Sequence, residues 1–464
     1  MAGDKVIGKE DAGMKRRGWT AIAVAMLLVC MTLLSGCSAI GLDSKALMSP
    51  PRESGDRGKV QSLLIENAGG DLTFRYPHKG EYRSAIITKD ITGDRKDDAL
   101  ALYEASDGSG GTTVSFMTQQ DGEWSIIRSF TNPAVQVDRI CFADLDDDGM
   151  KEVVIGWGNS TMNVCTASIY DYTQDGILEI PMEYGYGEMA VTNLINDTQD
   201  ELFIATVSSE NMDAVGQIVR LSKGALQIVQ AASLDSTVLQ YSQVSVGMIS
   251  QNQKGIILDG LRADNSMVTQ VIYWDEEKET LEAPYSGKSS QTMNVTSRNA
   301  ASAYTSRDID RNSIIEFPIV NALPGSDMNS KDPVTYLINW SQFDVETQSP
   351  IRVMSTVMNS RDGFWYLFPE SWRGKVTCRS DADTHSTVFY EWLEDDGTGT
   401  PALGTALLKI QVFSAEDWKT QGKGYTSLVE RGGLIYGVLI PEPDHELAPS
   451  LKEVKESFDF LSTE

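Results

Sequence analysis

The sequence predicts a mainly β protein, a β-propeller of six or seven four-stranded blades followed by a small α+β domain. An acidic stretch that leads into an apolar strand recurs five times along the chain. Short runs of strand character fill the intervals, and no interval shows a sustained helical period. Four strands in a unit of about 50 residues is the content of one propeller blade.

The repeated stretch is clearest in its second copy, "DLDDDGMKEVVI". Successive copies begin 54, 49, 54 and 61 residues apart, at Asp90, Asp144, Asn193, Gly247 and Asp308. Each copy follows a strand-like run such as "EMAVT" and leads into another such as "ELFIATV". We expect the runs "SLLIENAGGDLTFRY", "TYLINWSQ" and "IRVMSTVM" to complete a closing blade from both chain ends, because an open array would expose an unpaired strand edge.

This acidic loop resembles the FG-GAP/VCBS repeats of integrin-like β-propellers, whose pattern is Asp-x-Asp-x-Asp-Gly-x-x-Asp. The resemblance covers about residues 60–360. In that family the first, third, fifth and ninth residues of the loop give side-chain oxygens to calcium, and the seventh gives its backbone carbonyl. The resemblance therefore implies a structural calcium site formed by Asp144, Asp146, Asp148, Glu152 and the carbonyl of Met150. Such a set suits calcium, which takes six to eight hard oxygen ligands.

The other copies match the pattern less well. The fifth keeps four oxygen-bearing side chains and forms the second-best site, with Asp308, Asp310, Asn312 and Glu316. The first copy lacks the glycine, the third loses one ligand, and the fourth loses nearly all. Polar turns between strands also favour Asp, Asn and Gly, so plain turns are the alternative interpretation. An EF-hand is excluded, because the twelfth residue of the second copy is Ile155 and not a bidentate Glu.

The N-terminal residues predict export and a lipid anchor. Three basic residues at 15–17 precede an apolar run that ends in small residues, which is the order of a secretory signal. The sequence Leu-Ser-Gly-Cys at 34–37 resembles the bacterial lipobox, which implies removal of residues 1–36 and lipidation of Cys37. Residues 37–59 then form a flexible tether. An uncleaved transmembrane anchor is the alternative; in both cases the rest of the chain lies outside the cytoplasmic membrane.

Charge and composition exclude several functions. The net charge of −27 disfavours nucleic acid as a partner, because phosphate binding needs clustered Lys and Arg. The chain has only three histidines, which disfavours a His-based zinc site or a Ser-His-Asp triad. Beyond Cys30 and Cys37 only Cys141, Cys165 and Cys378 remain, and we expect them to be buried apolar residues, with one bridged pair as the alternative.

The repeat period ends near residue 360, and residues 361–464 read as a small α+β domain that ends in a helix. Its aromatic residues are predicted to form the core of a small sheet. A sugar-stacking surface is the alternative for Phe364, Trp365, Tyr366, Phe368 and Trp372.

Together these features predict a lipid-anchored, non-catalytic binding or scaffold protein at the outer side of the membrane, with an unknown protein or glycan ligand. A sensory or assembly subunit at the membrane is one alternative. A carbohydrate-active enzyme, either a lyase or a hydrolase on a propeller scaffold, is the other. The acids follow the repeat and do not form an isolated pair, which argues against catalysis.

Overall fold

The computed structural model of the protein describes residues 55–70, 72–105, 110–158, 164–210, 212–284, 295–299, 304–326, 335–393 and 402–461. The predicted signal peptide, Cys37 and most of the predicted tether lie outside these residues. The chain divides into two compact units, residues 1–62 and 63–464. In the first unit, residues 55–62 are described and contain the start of helix α1, which begins inside the segment predicted as a tether. None of the helices in the described part of the chain has the length and apolarity needed to cross a bilayer.

The second unit consists mainly of strands. The helices of the described residues are α1 (Asp56–Asn67), which begins in the first unit, α2 (Ala415–Gln421) and α3 (Leu451–Ser457). The strands of the first half are β1 (Leu72–Phe74), β2 (Ile86–Lys89), β3 (Asp98–Ala105), β4 (Thr112–Gln120), β5 (Glu123–Asn132), β6 (Gln136–Ala143), β7 (Glu152–Gly158), β8 (Thr166–Thr173), β9 (Gly176–Pro181), β10 (Glu188–Thr192), β11 (Glu201–Ala205), β12 (Val215–Ser222) and β13 (Ala225–Ser233). Those of the second half are β14 (Val238–Met248), β15 (Lys254–Arg262), β16 (Ser266–Asp275), β17 (Thr280–Glu282), β18 (Arg298–Asn299), β19 (Phe317–Ala322), β20 (Tyr336–Asp344), β21 (Ser349–Asn359), β22 (Phe364–Leu367), β23 (Val376–Asp381), β24 (Ser386–Leu393), β25 (Ala402–Ser414), β26 (Thr426–Arg431), β27 (Leu434–Leu439) and β28 (Phe458–Phe460).

Within the described residues these strands form six antiparallel sheets, which we number in chain order. The second and third sheets are simple four-stranded meanders, β6-β7-β8-β9 and β10-β11-β12-β13. The first sheet has the order β1-β3-β4-β5, with β2 also paired to β3, and the fourth has the order β14-β15-β16-β17, with β18 also paired to β16. The fifth is β19-β20-β21-β22-β28, and the sixth is β23-β24-β25-β27-β26.

The sheets are arranged as propeller blades. The first strands β6, β10 and β14 of successive sheets lie side by side, and so do the last strands β5 and β9, and β13 and β17. A sheet therefore packs face to face on the sheet that follows it, with its first strand toward one side of the stack and its last strand toward the other. This arrangement confirms the predicted mainly β propeller fold.

Alternate side chains of one strand enter two different cores. On β7, Val153 and Ile155 join the core between the first and second sheets, whereas Val154 joins the core between the second and third. On β11, Leu202 and Phe203 divide between two cores in the same way. Side chains of a strand alternate between the faces of its sheet, and here both faces are covered. This is why the second strands of the blades are continuous apolar runs.

The predicted closing blade is wrong. The run "SLLIEN" lies in α1, and β1 pairs with β3 in the first sheet instead of with strands from the other chain end. The runs at 335–342 and 351–358 form β20 and β21 of the fifth sheet. A short apolar run fits a helix and a strand equally well, because its periodicity does not distinguish them.

The region after residue 360 contains β22 to β28 with α2 and α3. The predicted domain boundary at residues 360/361 falls in the turn between β21 and β22. These two strands pair in the fifth sheet, so the predicted boundary lies within one sheet. One core cluster contains residues of both the fifth and sixth sheets, including Val357 and Phe389. Four of the five predicted aromatic residues are buried there, and Trp365 packs half-buried in a neighbouring cluster. The core interpretation is therefore confirmed for Phe364, Tyr366, Phe368 and Trp372.

The cysteines of the described residues are free thiols, so the alternative of a bridged pair is wrong. Cys165 and Cys378 are buried as expected, and Cys141 is half-buried. Cys165 and Cys378 belong to apolar clusters, and Cys141 packs against one of them.

Candidate metal centre

The five acidic stretches occupy one structural position. In the second, third and fourth sheets the stretch connects the first strand to the second, in the first sheet it connects β2 to β3, and the fifth stretch precedes β19. In four of the five loops the residue before the loop pairs with the ninth residue. These pairs are Lys89↔Asp98, Ala143↔Glu152, Thr192↔Glu201 and Arg307↔Glu316 in the first, second, third and fifth loops. The sequence repeat is therefore a repeat of blade geometry.

The backbone of these loops follows one pattern. The fourth residue has a left-handed conformation in four loops, at Gly93, Asp147, Asn196 and Arg311. The sixth residue is also left-handed at Gly149, with φ of 85°, which explains the glycine of the sequence pattern. The carboxylate of the ninth residue accepts a hydrogen bond from the amide of the second, at 2.9 Å for Asp98 and Ile91, 2.6 Å for Glu152 and Leu145, 2.7 Å for Glu201 and Leu194, and 3.0 Å for Glu316 and Ile309.

The second loop gathers three carboxylates. Oxygens of Asp144, Asp146 and Glu152 lie within 4.8 Å of one another. Asp144 Oδ2 accepts from the amide of Gly149 at 3.0 Å, whereas Asp144 Oδ1 is buried and has no hydrogen-bond partner among the described residues. A buried oxygen without a donor is costly, and a bound cation would satisfy it. The donor set fits calcium, which prefers carboxylate oxygens.

Electrostatics of this loop favour a cation. The pKa of Glu152 is raised to about 8, mainly by burial and also by the charges of Asp146, Asp171 and Asp144, while the hydrogen bond from the Leu145 amide opposes the shift. Burial and the neighbouring Asp148 raise the pKa of Asp146. Carboxylates that repel one another in this way bind a proton or a cation more readily than they do when apart.

Asp148 and Met150 lie at the edge of this group. Asp148 is outside the close trio, and its Oδ1 accepts from the amide of Met150 at 2.8 Å. The side chain of Met150 packs over the first loop, where a Cβ at Gly93 would approach its sulfur to 2.7 Å. The loop thus brings together three of the four predicted side-chain ligands.

The fifth loop repeats the trio with Asp308, Asp310 and Glu316, whose oxygens also lie within 4.8 Å. Asn312 is directed at its neighbours, and its Nδ2 donates to Asp310 Oδ2 at 3.0 Å. Burial raises the pKa of Glu316 to about 7, although a hydrogen bond from Gln342 Nε2 to Glu316 Oε1 at 2.7 Å opposes the shift.

The third loop is occupied by an arginine that sequence reasoning missed. Arg220 Nη1 and Nη2 donate to the Asp197 carboxylate at 3.0 and 2.6 Å, and Nη2 also donates to the Gln199 carbonyl at 3.1 Å. The same Nη2 forms an ion pair with Glu201. These partners are the fifth, seventh and ninth residues of the loop. In sequence the only signal is a basic residue on the strand that follows the second strand of the blade.

The first and fourth loops lack this grouping. The carboxylate of Asp90 accepts from the amides of Gly93 and Arg95 at 2.8 and 2.9 Å, so it is held within its own loop. The fourth loop is one residue shorter, because Gly247 pairs with Gly255 in the strand register. The alignment that began this copy at Gly247 is therefore wrong by one residue, and Met248 takes the first position.

Backbone hydrogen bonds join two of the loops to a strand of the next sheet. The carbonyl of Leu145 accepts from the amide of Leu221 in the third sheet at 2.8 Å. In the same way, the carbonyl of Ile249 in the fourth loop accepts from the amide of Phe343 in the fifth sheet at 3.2 Å. Each of these loops therefore connects its blade to the next one.

No protein-family model and no curated protein matches the chain. Similar solved structures include a protein from Lactobacillus plantarum, with 10% identity, a TM-score of 0.29 and coverage of 72% of this chain and 94% of that one. AofleA from Arthrobotrys oligospora has 10% identity and a TM-score of 0.26, with 74% and 91% covered. The Dos1 propeller has 11% identity and a TM-score of 0.29, with 67% and 65% covered. At these scores the propeller architecture rests on the strand order of this chain.

Proposed function

We propose that the protein is a lipid-anchored, extracytoplasmic β-propeller that acts as a non-catalytic binding or scaffold module and is stiffened by calcium in its second and fifth loops. One observation carries the calcium part of the proposal. The carboxylic acids with a raised pKa among the described residues lie in the acidic loops or directly opposite them, at Asp146, Glu152, Asp171, Glu201 and Glu316. The groups best suited to bind a proton or a cation therefore follow the blade repeat.

Calcium would be held in the second loop by Asp144, Asp146 and Glu152, and in the fifth by Asp308, Asp310 and Glu316. When bound it would supply positive charge to each loop, and the second loop also contacts the next blade. A cation that binds the folded chain alone stabilises it by mass action. The ion would thus hold a rigid scaffold from which other loops can bind a partner.

A carbohydrate-active enzyme is the alternative function that the many carboxylates suggest. A glycosidase places two acids on either side of a cleft, one with a raised pKa. Buried acids away from the loops are instead neutralised by arginine, as in the ion pairs Arg139–Asp138 at 2.8 Å and Arg298–Asp259 at 2.8 Å. This pairing supports a structural use of those acids.

The proposal is tested with the mature protein extracted from membranes, by glycan-array binding and by crosslinking to partner proteins in the same membranes. We expect capture of a ligand and no turnover of it. Turnover of a polysaccharide, lost on mutation of one carboxylate outside the loops, would show that the protein is an enzyme. Capture of other envelope proteins in a fixed stoichiometry would favour the assembly-subunit alternative.

A further inference from the structure

In four blades, one position faces the acidic loop from the strand that pairs with the strand leaving that loop. This strand is β8, β12, β16 or β20, and we call the position the third-strand position. In the fourth sheet Gly255, which takes the place of the ninth residue in the shortened loop, pairs directly with Tyr273 on β16. The same register in the other sheets follows from the pairs Val153↔Tyr170, Leu202↔Val219 and Phe317↔Ser341. One residue further along these strands, the register places the ninth residue of the loop opposite Asp171 in the second blade, Arg220 in the third and Gln342 in the fifth. Directly opposed residues on one face have Cβ atoms about 5 Å apart.

The residue at this position differs in charge from blade to blade. Arg220 places a guanidinium between Asp197 and Glu201 and satisfies the Gln199 carbonyl as well. Gln342 places a neutral amide on Glu316 at 2.7 Å. Asp171 is buried and adds a further carboxylate beside the trio of the second loop. The second, third and fifth loops share the left-handed fourth residue, so the opposing residue distinguishes them in addition to their own side chains.

A guanidinium carries a permanent positive charge and several donors in one plane, and it suits the oxygens that a metal ion would otherwise hold. A carboxylate in the same place adds negative charge beside the loop. A neutral amide lies between these two cases. The charge of this one side chain therefore determines whether the loop oxygens are neutralised by a cationic side chain of the protein or by a bound metal ion.

We infer that this third-strand position determines the occupant of each acidic loop, so that Arg220 is the built-in cation of the third loop and Asp171 makes the second loop the strongest metal site. The third blade is then fastened without metal, and the fifth, with Gln342, binds metal more weakly than the second. The part that concerns Asp171 rests on the proposed calcium sites. The part that concerns Arg220 does not, because its contacts involve no metal.

Exchange of the two charges tests the inference on the full-length protein. In Asp171→Arg we expect a melting temperature in chelator several degrees above that of the wild type, and loss of one bound Tb³⁺ and of most of the calcium response. Asp171→Gln, a milder variant, should weaken metal binding at the second loop without the gain in chelator. Asp175→Arg makes the same change of charge at an exposed turn and should leave both readouts unchanged.

Arg220 is tested in chelator alone. Arg220→Gln should lower the melting temperature by several degrees, and the double variant with Glu201→Gln should recover part of that loss, because the acid it leaves unpaired is removed. Arg128→Gln, at an exposed arginine on β5, should show no such recovery with Glu201→Gln. In the presence of Tb³⁺, Arg220→Gln should bind one ion more than the wild type.

The outcomes separate the two proposals. If the wild type binds no metal but Glu201→Gln still rescues Arg220→Gln, the calcium proposal fails and the built-in cation stands. If the losses of Arg220→Gln and Glu201→Gln simply add, the built-in cation is wrong. If Asp171→Arg leaves metal stoichiometry and the melting temperature in chelator unchanged, the position does not determine the occupant of the second loop.

Discussion

Asp200 in the third loop holds Asp144 in the second by two hydrogen bonds. The amide of Asp200 donates to the Asp144 carbonyl at 2.9 Å, and the carboxylate of Asp200 accepts from the Asp144 amide at 3.1 Å. Asp144 is at the same time a proposed ligand whose Oδ1 has no partner among the described residues. A metal ion in the second loop would therefore act on the contact between two blades as well as on one hairpin.

Calcium should raise the melting temperature of the protein, and a chelator should lower it. Extracellular calcium modules bind at roughly 10⁻⁴ to 10⁻³ M, so millimolar calcium should add about 1 kcal/mol for each site. Asp146→Ala should remove most of the contribution of the second loop, and Asp148→Ala should remove less of it, because Asp148 lies outside the close trio.

The control for this measurement is Gln251→Ala in the shortened fourth loop, where the exposed side chain should not affect the calcium response. Differential scanning calorimetry with and without calcium checks the prediction. A wild-type melting curve that calcium leaves unmoved would mean that the acids are only polar turns.

Stability in chelator should fall as the pH rises from about 5 to about 8. The pKa of Glu152 in the folded chain is about 8, above its ordinary value of 4.5, so the folded chain binds more protons than the unfolded chain between these values. A state that holds more protons loses stability as the pH rises. Calcium competes with the same protons, so its stabilising effect should grow over this window.

Urea unfolding at several pH values, with chelator or calcium, measures both slopes. Glu152→Gln should flatten the decline seen in chelator and reduce the growth of the calcium effect. A wild-type stability in chelator that rises steadily across this range would contradict the raised pKa of Glu152.

The buried ion pair of the fourth blade should be sensitive to loss of one partner. Asp259 Oδ1 accepts from Arg298 Nη2 at 2.8 Å and Asp259 Oδ2 from the amide of Ser306 at 2.7 Å, with both charged side chains buried. Arg298→Met leaves a buried carboxylate without its cation and should cost about 3–5 kcal/mol. Lys452→Met, in an exposed pair with Glu456 at 3.8 Å, should change stability by less than about 1 kcal/mol.

Chemical denaturation of both variants checks this prediction. Adding Asp259→Asn to Arg298→Met should recover part of the loss, since the buried charge is then gone. Equal losses for the buried and the exposed variant would show that the pair is not desolvated in solution.

Cys37→Ser should release the protein from the membrane or leave it as an unprocessed precursor. The reason is that Cys37 follows the apolar run and the small residues of the lipobox-like sequence. Fractionation and labelling with radioactive palmitate measure the effect, with Cys378→Ser as the matched control because that thiol is buried in a core. Mature, labelled and membrane-bound protein in Cys37→Ser would rule out this site of lipidation.

The sequence by itself determined the blade repeat and the two best acidic loops. The ligands of such a loop lie within nine consecutive residues, so their spacing alone brings Asp144, Asp146 and Glu152 together once the strands on either side are in place. The apolar second strands were readable for the same reason, since burial on both faces removes polar alternation.

Only the tertiary structure decided what stands opposite each loop. Asp171, Arg220 and Gln342 follow the ninth residues of their loops by 19, 19 and 26 positions, and strand register, not spacing, places them there. The register also showed that the fourth loop is one residue shorter than the others. The sequence could not reveal this, because that loop has almost none of the ligand residues by which the copies are aligned. Local patterns therefore specify a loop, whereas the pairing of distant strands determines the charge that the loop faces.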